Sequence, residues 1–124
     1  MSARHSSART SLPRPLERDI QAAGVAALRA MGCWVEANGV SRGGAIRRSG
    51  FGRGSPDTLV IIPPLGVHLW IEWKRDAKSK RSPGQVEWHE RAQRQGLNVA
   101  TCCEVQQAIA AVLAVRRRVE EETT

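Results

Sequence analysis

The chain has 124 residues, enough for one domain around a single modest core. It carries 19 Lys and Arg against 12 Asp and Glu, a formal charge of +7, with 41% hydrophobic residues; this is a globular balance, and its sign favours a polyanionic partner, nucleic acid before an anionic membrane surface. No apolar stretch approaches a membrane span and no signal-peptide core is present, while three cysteines, two of them adjacent at Cys102-Cys103, imply no disulfide framework and a reducing, cytoplasmic setting.

Residues 1–14 are rich in Ser and Arg and lack acids, which reads as a disordered basic arm, with a transit peptide as the alternative. Pro13 and Pro15 lead into a helix over Leu16–Met31, in which Leu16, Ile20, Ala23, Ala27, Leu28 and Met31 keep helical spacing. Glu17 falls in its first turn, where the helix dipole alone favours a carboxylate. Cys33–Ala37 reads as a first strand. Asn38–Gly54 follows, dominated by Gly, Ser and Arg. A loop this long is usually functional or disordered, and arginines among glycines suit phosphate contact. Arg42, Arg47, Arg48, Arg53 and Ser55 are therefore candidate nucleic-acid contacts.

Asp57 opens the run Thr58–Ile62. Pro63-Pro64-Leu65-Gly66 breaks it, and Val67–Lys74 follows. Two β-prone runs joined by a Pro/Gly loop predict an antiparallel hairpin. A turn centred between Pro64 and Leu65 sets Asp57 opposite Glu72, with Cβ atoms about 5 Å apart. Two such carboxylates repel unless a cation lies between them, and a hard divalent ion with oxygen ligands is the natural candidate. Glu72 and Lys74 share a strand face.

Arg75–Arg81 is a basic connector, whose Lys78, Lys80 and Arg81 either touch the DNA backbone or are simply solvated. Ser82-Pro83-Gly84-Gln85 opens a helix with a capping box, which by itself accounts for Gln85. Val86, Trp88 or His89, and Ala92 give this helix an inner face, and Gly96 ends it. Asn98–Cys102 predicts a last strand, reached by a crossover and so parallel to its neighbour. A final helix is expected over Glu104–Val115, with Arg116-Arg117-Arg118 supporting its C-terminal end. One domain over residues 15–117, followed by a polar tail over 118–124, completes the division.

Pro56-Asp57 followed after a hairpin by Glu72-x-Lys74 resembles the PD-(D/E)xK nuclease signature. Glu17 on an N-terminal helix, the Gly-rich stretch through Gly54-Ser55 and the Ser82-Pro83-x-Gln85 helix start resemble its VRR-NUC branch of small virus-type and repair nucleases. The likeness runs from about Glu17 to Leu113. It implies an α/β fold with a mixed sheet flanked by helices, a restriction-endonuclease-like core of order α-β-β-β-α-β-α. It further implies Mg²⁺ or Mn²⁺ held by Asp57, Glu72 and the backbone carbonyl of Trp73, with Glu17 anchoring the metal shell. Lys74 would then be the catalytic cation, and Gln85 a side chain reaching towards the scissile phosphate. The implied activity is phosphodiester hydrolysis on branched DNA such as Holliday junctions, leaving a 5′-phosphate, by a homodimer.

Other chemistries fare worse on the sequence. His5, His68 and His89 form no ligand spacing, Cys102-Cys103 lacks a partner pair for zinc, and no P-loop indicates a nucleotide cofactor. Cys33 reads as a small core residue. The four tryptophans, Trp34, Trp70, Trp73 and Trp88, read as core, with Trp70 the one placed for exposure. A catalytically inactive nucleic-acid-binding module on the same fold is the alternative function, and a basic RNA-bound structural protein the third.

Overall fold

The computed structural model describes residues 16–37, 53–64 and 66–123. Its elements are Glu17–Ala30 (α1), Trp34–Ala37 (β1), Thr58–Ile62 (β2), Val67–Trp73 (β3), Pro83–Arg94 (α2), Val99–Cys102 (β4) and Val105–Thr123 (α3). The basic arm predicted over residues 1–14 lies outside the described residues.

Period-two burial decides the sheet. β2 buries Thr58, Val60 and Ile62, and β3 buries Leu69, Ile71 and Trp73, all on one face. The strands pair antiparallel with Thr58 opposite Ile71 and Ile62 opposite Val67, which is the register the Pro/Gly loop predicts. β1 joins β2 antiparallel and β4 joins β3 parallel, giving a mixed sheet of order β1-β2-β3-β4. The parallel pair follows from the crossover through α2. This is the mixed α/β architecture expected from the sequence.

Helices cover both faces. α1 and α3 pack on each other and on the apolar face, where Leu28, Val60, Leu69, Ile71, Trp73 and Val112 form the centre of the core. α2 lies on the opposite face, where Trp88 meets Trp70 edge-to-face at 5.3 Å. Trp70 is thus half-buried rather than exposed; the exposed tryptophan is Trp34 on β1, at 66%. Cys33 and Cys102 are buried in the core as free thiols, and burial pushes Cys102 up to about 11.

The last helix departs from expectation. It does not stop at Val115 but continues to Thr123, so Arg116-Arg117-Arg118 lies within it and residues 118–123 are helix rather than tail. No Gly or Pro follows Val115 to break the helix. Ala108, Val112, Val115 and Val119 extend its inward stripe, and Arg118 donates a hydrogen bond to Asn98 before β4.

One contact fixes the sheet to α1. The far edge of the Trp73 indole abuts Gly24, where a Cβ would come within 2.1 Å of the ring. The same indole donates through Nε1 to buried Thr58 Oγ1 at 2.9 Å. The ring therefore has no room to yield. Gly24→Ala is expected to destabilise the protein: overpacking costs about 1–3 kcal/mol, against about 1 kcal/mol of helix propensity gained. A lowered melting temperature in calorimetry is the expected result; an unchanged or raised one contradicts this packing.

Candidate active site

β3 sends Trp73 into the core, so its neighbours Glu72 and Lys74 point to the face covered by α2. Both are buried all the same, Glu72 at 1% and Lys74 at 8% exposure. Charged side chains are seldom buried without partners, so the surroundings of these two decide what the site can do.

The start of α2 supplies the partner of Lys74. Ser82 Oγ accepts the Gln85 N–H at 3.2 Å, and Gln85 Oε1 accepts the Ser82 N–H at 2.8 Å, a reciprocal capping box. The same Gln85 Oε1 accepts from Lys74 Nζ at 3.1 Å. Capping and contact with the site, alternatives on the sequence, are thus performed by one atom.

Asp57 immediately precedes β2, and the observed register continues to place it opposite Glu72. Its carboxyl is pushed up to about 6, by burial first and then by the charges of Glu17 and Glu72, against the pull of Lys74. Glu17, at the first turn of α1, is also raised: burial dominates, Glu72 adds to it, and Lys74 opposes it. The fold therefore brings Glu17, Asp57, Glu72 and Lys74 into one electrostatic neighbourhood from three separate elements. Three carboxylates around one ammonium leave a net negative pocket.

The segment carrying Asp57 is held by backbone packing. Gly54 has φ +79, and a Cβ on it would lie 2.1 Å from the carbonyl oxygen of Gly84. Only glycine lets residues 53–55 dock on the first turn of α2. Pro56 is then fully buried, which sets Asp57 at the mouth of the hairpin.

Glu72 is the least satisfied group. Arg81 Nε lies 3.8 Å from its Oε2 and His89 Nε2 lies 3.4 Å away. Neither contact is a hydrogen bond: both Glu72 oxygens and His89 Nε2 are buried without a hydrogen-bond partner among the described residues. Burial also lowers the His89 imidazole from its ordinary value, against the pull of Glu72. His89 is a site neighbour that the sequence did not reveal, and Arg81, expected to touch DNA or be solvated, lies beside Glu72. A signal for His89 exists: it stands four residues after Gln85, on the same side of α2.

Of the remaining predicted residues, Trp73 is buried through its indole, so any role at the site falls to its backbone. Ser55 is half-buried; Arg53, Lys78 and Lys80 are exposed. Arg42, Arg47 and Arg48 lie outside the described residues. Among the described residues no three His, Cys, Asp or Glu side chains form a metal-binding group. Two carboxylates completed by backbone and water suit Mg²⁺, which keeps much of its hydration. Two oxygens without a hydrogen bond on a buried Glu72 fit such an ion.

No family model matches the sequence, and no curated protein matches it. A solved structure described as a VRR_NUC domain matches the fold with a TM-score of 0.58 at 30% sequence identity, over 77% of this chain and 92% of that one. Identity at that level over nearly the whole of the matched domain, on a fold of this topology, shows that the chain belongs to the VRR-NUC family of nucleases.

Proposed function

We propose that the protein is a metal-dependent DNA endonuclease, selective for branched DNA such as four-way junctions and acting as a homodimer. The observation that carries the metal and the chemistry is the buried Glu72, neither of whose oxygens has a hydrogen bond among the described residues, beside Asp57 and Lys74. Asp57, Glu72 and the carbonyl of Trp73 would hold the ion, Mg²⁺ or Mn²⁺, and Glu17 would anchor a water of its shell. When bound, the ion supplies Lewis-acid polarisation of the phosphate and a lowered pKa for water.

The chain's own groups do the rest. Gln85 Oε1 fixes the Lys74 ammonium, and burial strengthens the field it exerts on the phosphate. Lys74 orients the attacking water and stabilises charge on the phosphate oxygens as the P–O3′ bond breaks. Water oxygen ends on phosphorus, giving a 5′-phosphate, and its proton passes to the departing O3′. The net charge of +7 favours approach of DNA. The junction preference and the homodimer rest on the family likeness, since symmetric cleavage of a junction requires two such centres.

Nicking of a labelled four-way junction in Mg²⁺ tests this reading. Asp57→Ala and Lys74→Ala are each expected to lower the rate by about a hundredfold or more; equal rates in all three proteins remove the site assignment. Flap and linear substrates in the same assay measure selectivity, and tight binding without cleavage in any metal leaves the inactive binding module.

The raised Asp57 makes a second prediction. Between its ordinary value of 3.8 and about 6 the folded protein holds more protons than the unfolded chain. The contribution of Asp57 to the stability of the metal-free protein therefore falls as pH rises through that window. A cation must displace the Asp57 proton below about pH 6, so calorimetric titration with Mn²⁺ is expected to give weaker binding at about pH 5.5 than at about pH 7.5. Binding independent of pH in this range excludes Asp57 as a ligand.

A further inference from the structure

Beyond the acidic centre, α2 borders a second polar hollow. Gly84, Glu87, Trp88 and Arg91 recur along one side of the helix, and Arg53 closes the space from the segment before Asp57, leaving about 330 Å³. Arg53 is set there by backbone contact: a Cβ on Gly84 would lie 3.3 Å from Arg53 Nε, and Gly54 abuts the Gly84 carbonyl. The hollow adjoins the acidic centre, since Gln85, next to Gly84, holds Lys74. Arg91 stands six residues further along, about 9 Å up the helix axis.

Its lining is that of a nucleotide site. Two guanidiniums face one carboxylate, so the space is net positive. Arg91 is paired with Glu87 at 3.2 Å, but both side chains are exposed, at 65% and 73%. Such a pair contributes little, and a phosphate can replace it with a two-pronged contact to Arg91. Trp88 meets Trp70 and His89 edge-to-face, with interplanar angles of 69° and 73°, so neither ring is stacked flat on the indole.

We propose that this hollow is a subsite for an unpaired nucleotide on the DNA strand beside the cleavage point. Its phosphate lies between Arg53 and Arg91, and its base stacks on Trp88. The proposal rests on the nuclease reading and deepens it: a base in a duplex is already stacked, so the subsite is filled only where strands open, at a tail, a gap or a branch.

Fluorescence anisotropy in EDTA, where nothing is cut, tests this with a blunt duplex and the same duplex bearing a single-stranded tail. Trp88→Leu keeps an apolar contact for Trp70 but offers no ring. It is expected to weaken binding of the tailed DNA by about five- to a hundredfold and to leave the blunt duplex within about twofold. Arg91→Ala, a change on the exposed side of α2, is expected to reduce the slope of log affinity against log salt by about one on the tailed DNA. Unchanged affinity of Trp88→Leu for tailed DNA, an equal loss on both DNAs, or an unchanged salt slope for Arg91→Ala overturns the subsite. A wild-type protein that shows these binding differences but cleaves in no metal overturns the nuclease reading and leaves the subsite in place. One that cleaves the junction but shows none of them does the reverse.

Discussion

The burial of Trp73 is the constraint on which the rest depends. Its indole is inaccessible to solvent, lies against Gly24 of α1 and donates to Thr58 of β2. Successive strand residues point to opposite faces, so fixing Trp73 inward fixes Glu72 and Lys74 outward. The bond to Thr58 also ties the end of β3 to the start of β2, one residue from Asp57. A single aromatic ring therefore sets both the face and the depth of the acids and the lysine. Loss of that contact would loosen α1 as well, and with it the Glu17 carboxylate.

Helix and strand then match in pitch. Glu72 and Lys74, two residues apart on β3, are separated by about 6.7 Å, and Gln85 and His89, four residues apart on α2, by about 6 Å along the axis. The near coincidence lets Gln85 meet Lys74 while His89 meets Glu72. The two contacts differ in kind. Lys74 has a good acceptor, whereas Glu72 has only poorly aligned neighbours. The helix steadies the cation and leaves both carboxylate oxygens without a hydrogen bond among the described residues.

Much of this was legible in the sequence because the hairpin carries its own ruler. Pro63 to Gly66 fixed the turn, the turn fixed the register, and the register set Asp57 against Glu72. The Ser82–Gln85 capping box was legible for a similar reason, being a local pattern with a local cause. What the sequence concealed was non-local. His68 and His89 look alike in the chain, yet only His89 reaches Glu72, because that depends on how α2 settles over β3. The end of α3 was missed because an arginine triplet resembles a helix terminus; the inward Val119 and the bond from Arg118 to Asn98 outweigh that local signal. Trp34 and Trp70 differ in exposure only because α2 covers one and not the other.

The site is also a place where stability is set aside. Three carboxylates are drawn together around one ammonium, and burial raises both Asp57 and Glu17, with repulsion from neighbouring acids adding to the rise at Asp57. A fold optimised for stability alone would replace buried Glu72 with an apolar residue, because a buried carboxylate without hydrogen bonds is among the costliest groups a core can hold. The surroundings sustain it by firm packing on the opposite face, where Ile71 and Trp73 are fully buried. The strain is thus confined to one side of a single strand and balanced by the other. That division of labour across β3 lets a basic protein keep a cluster of acids beside Lys74 without giving up its core, because the residues that hold the fold and those that carry the charge alternate along one strand.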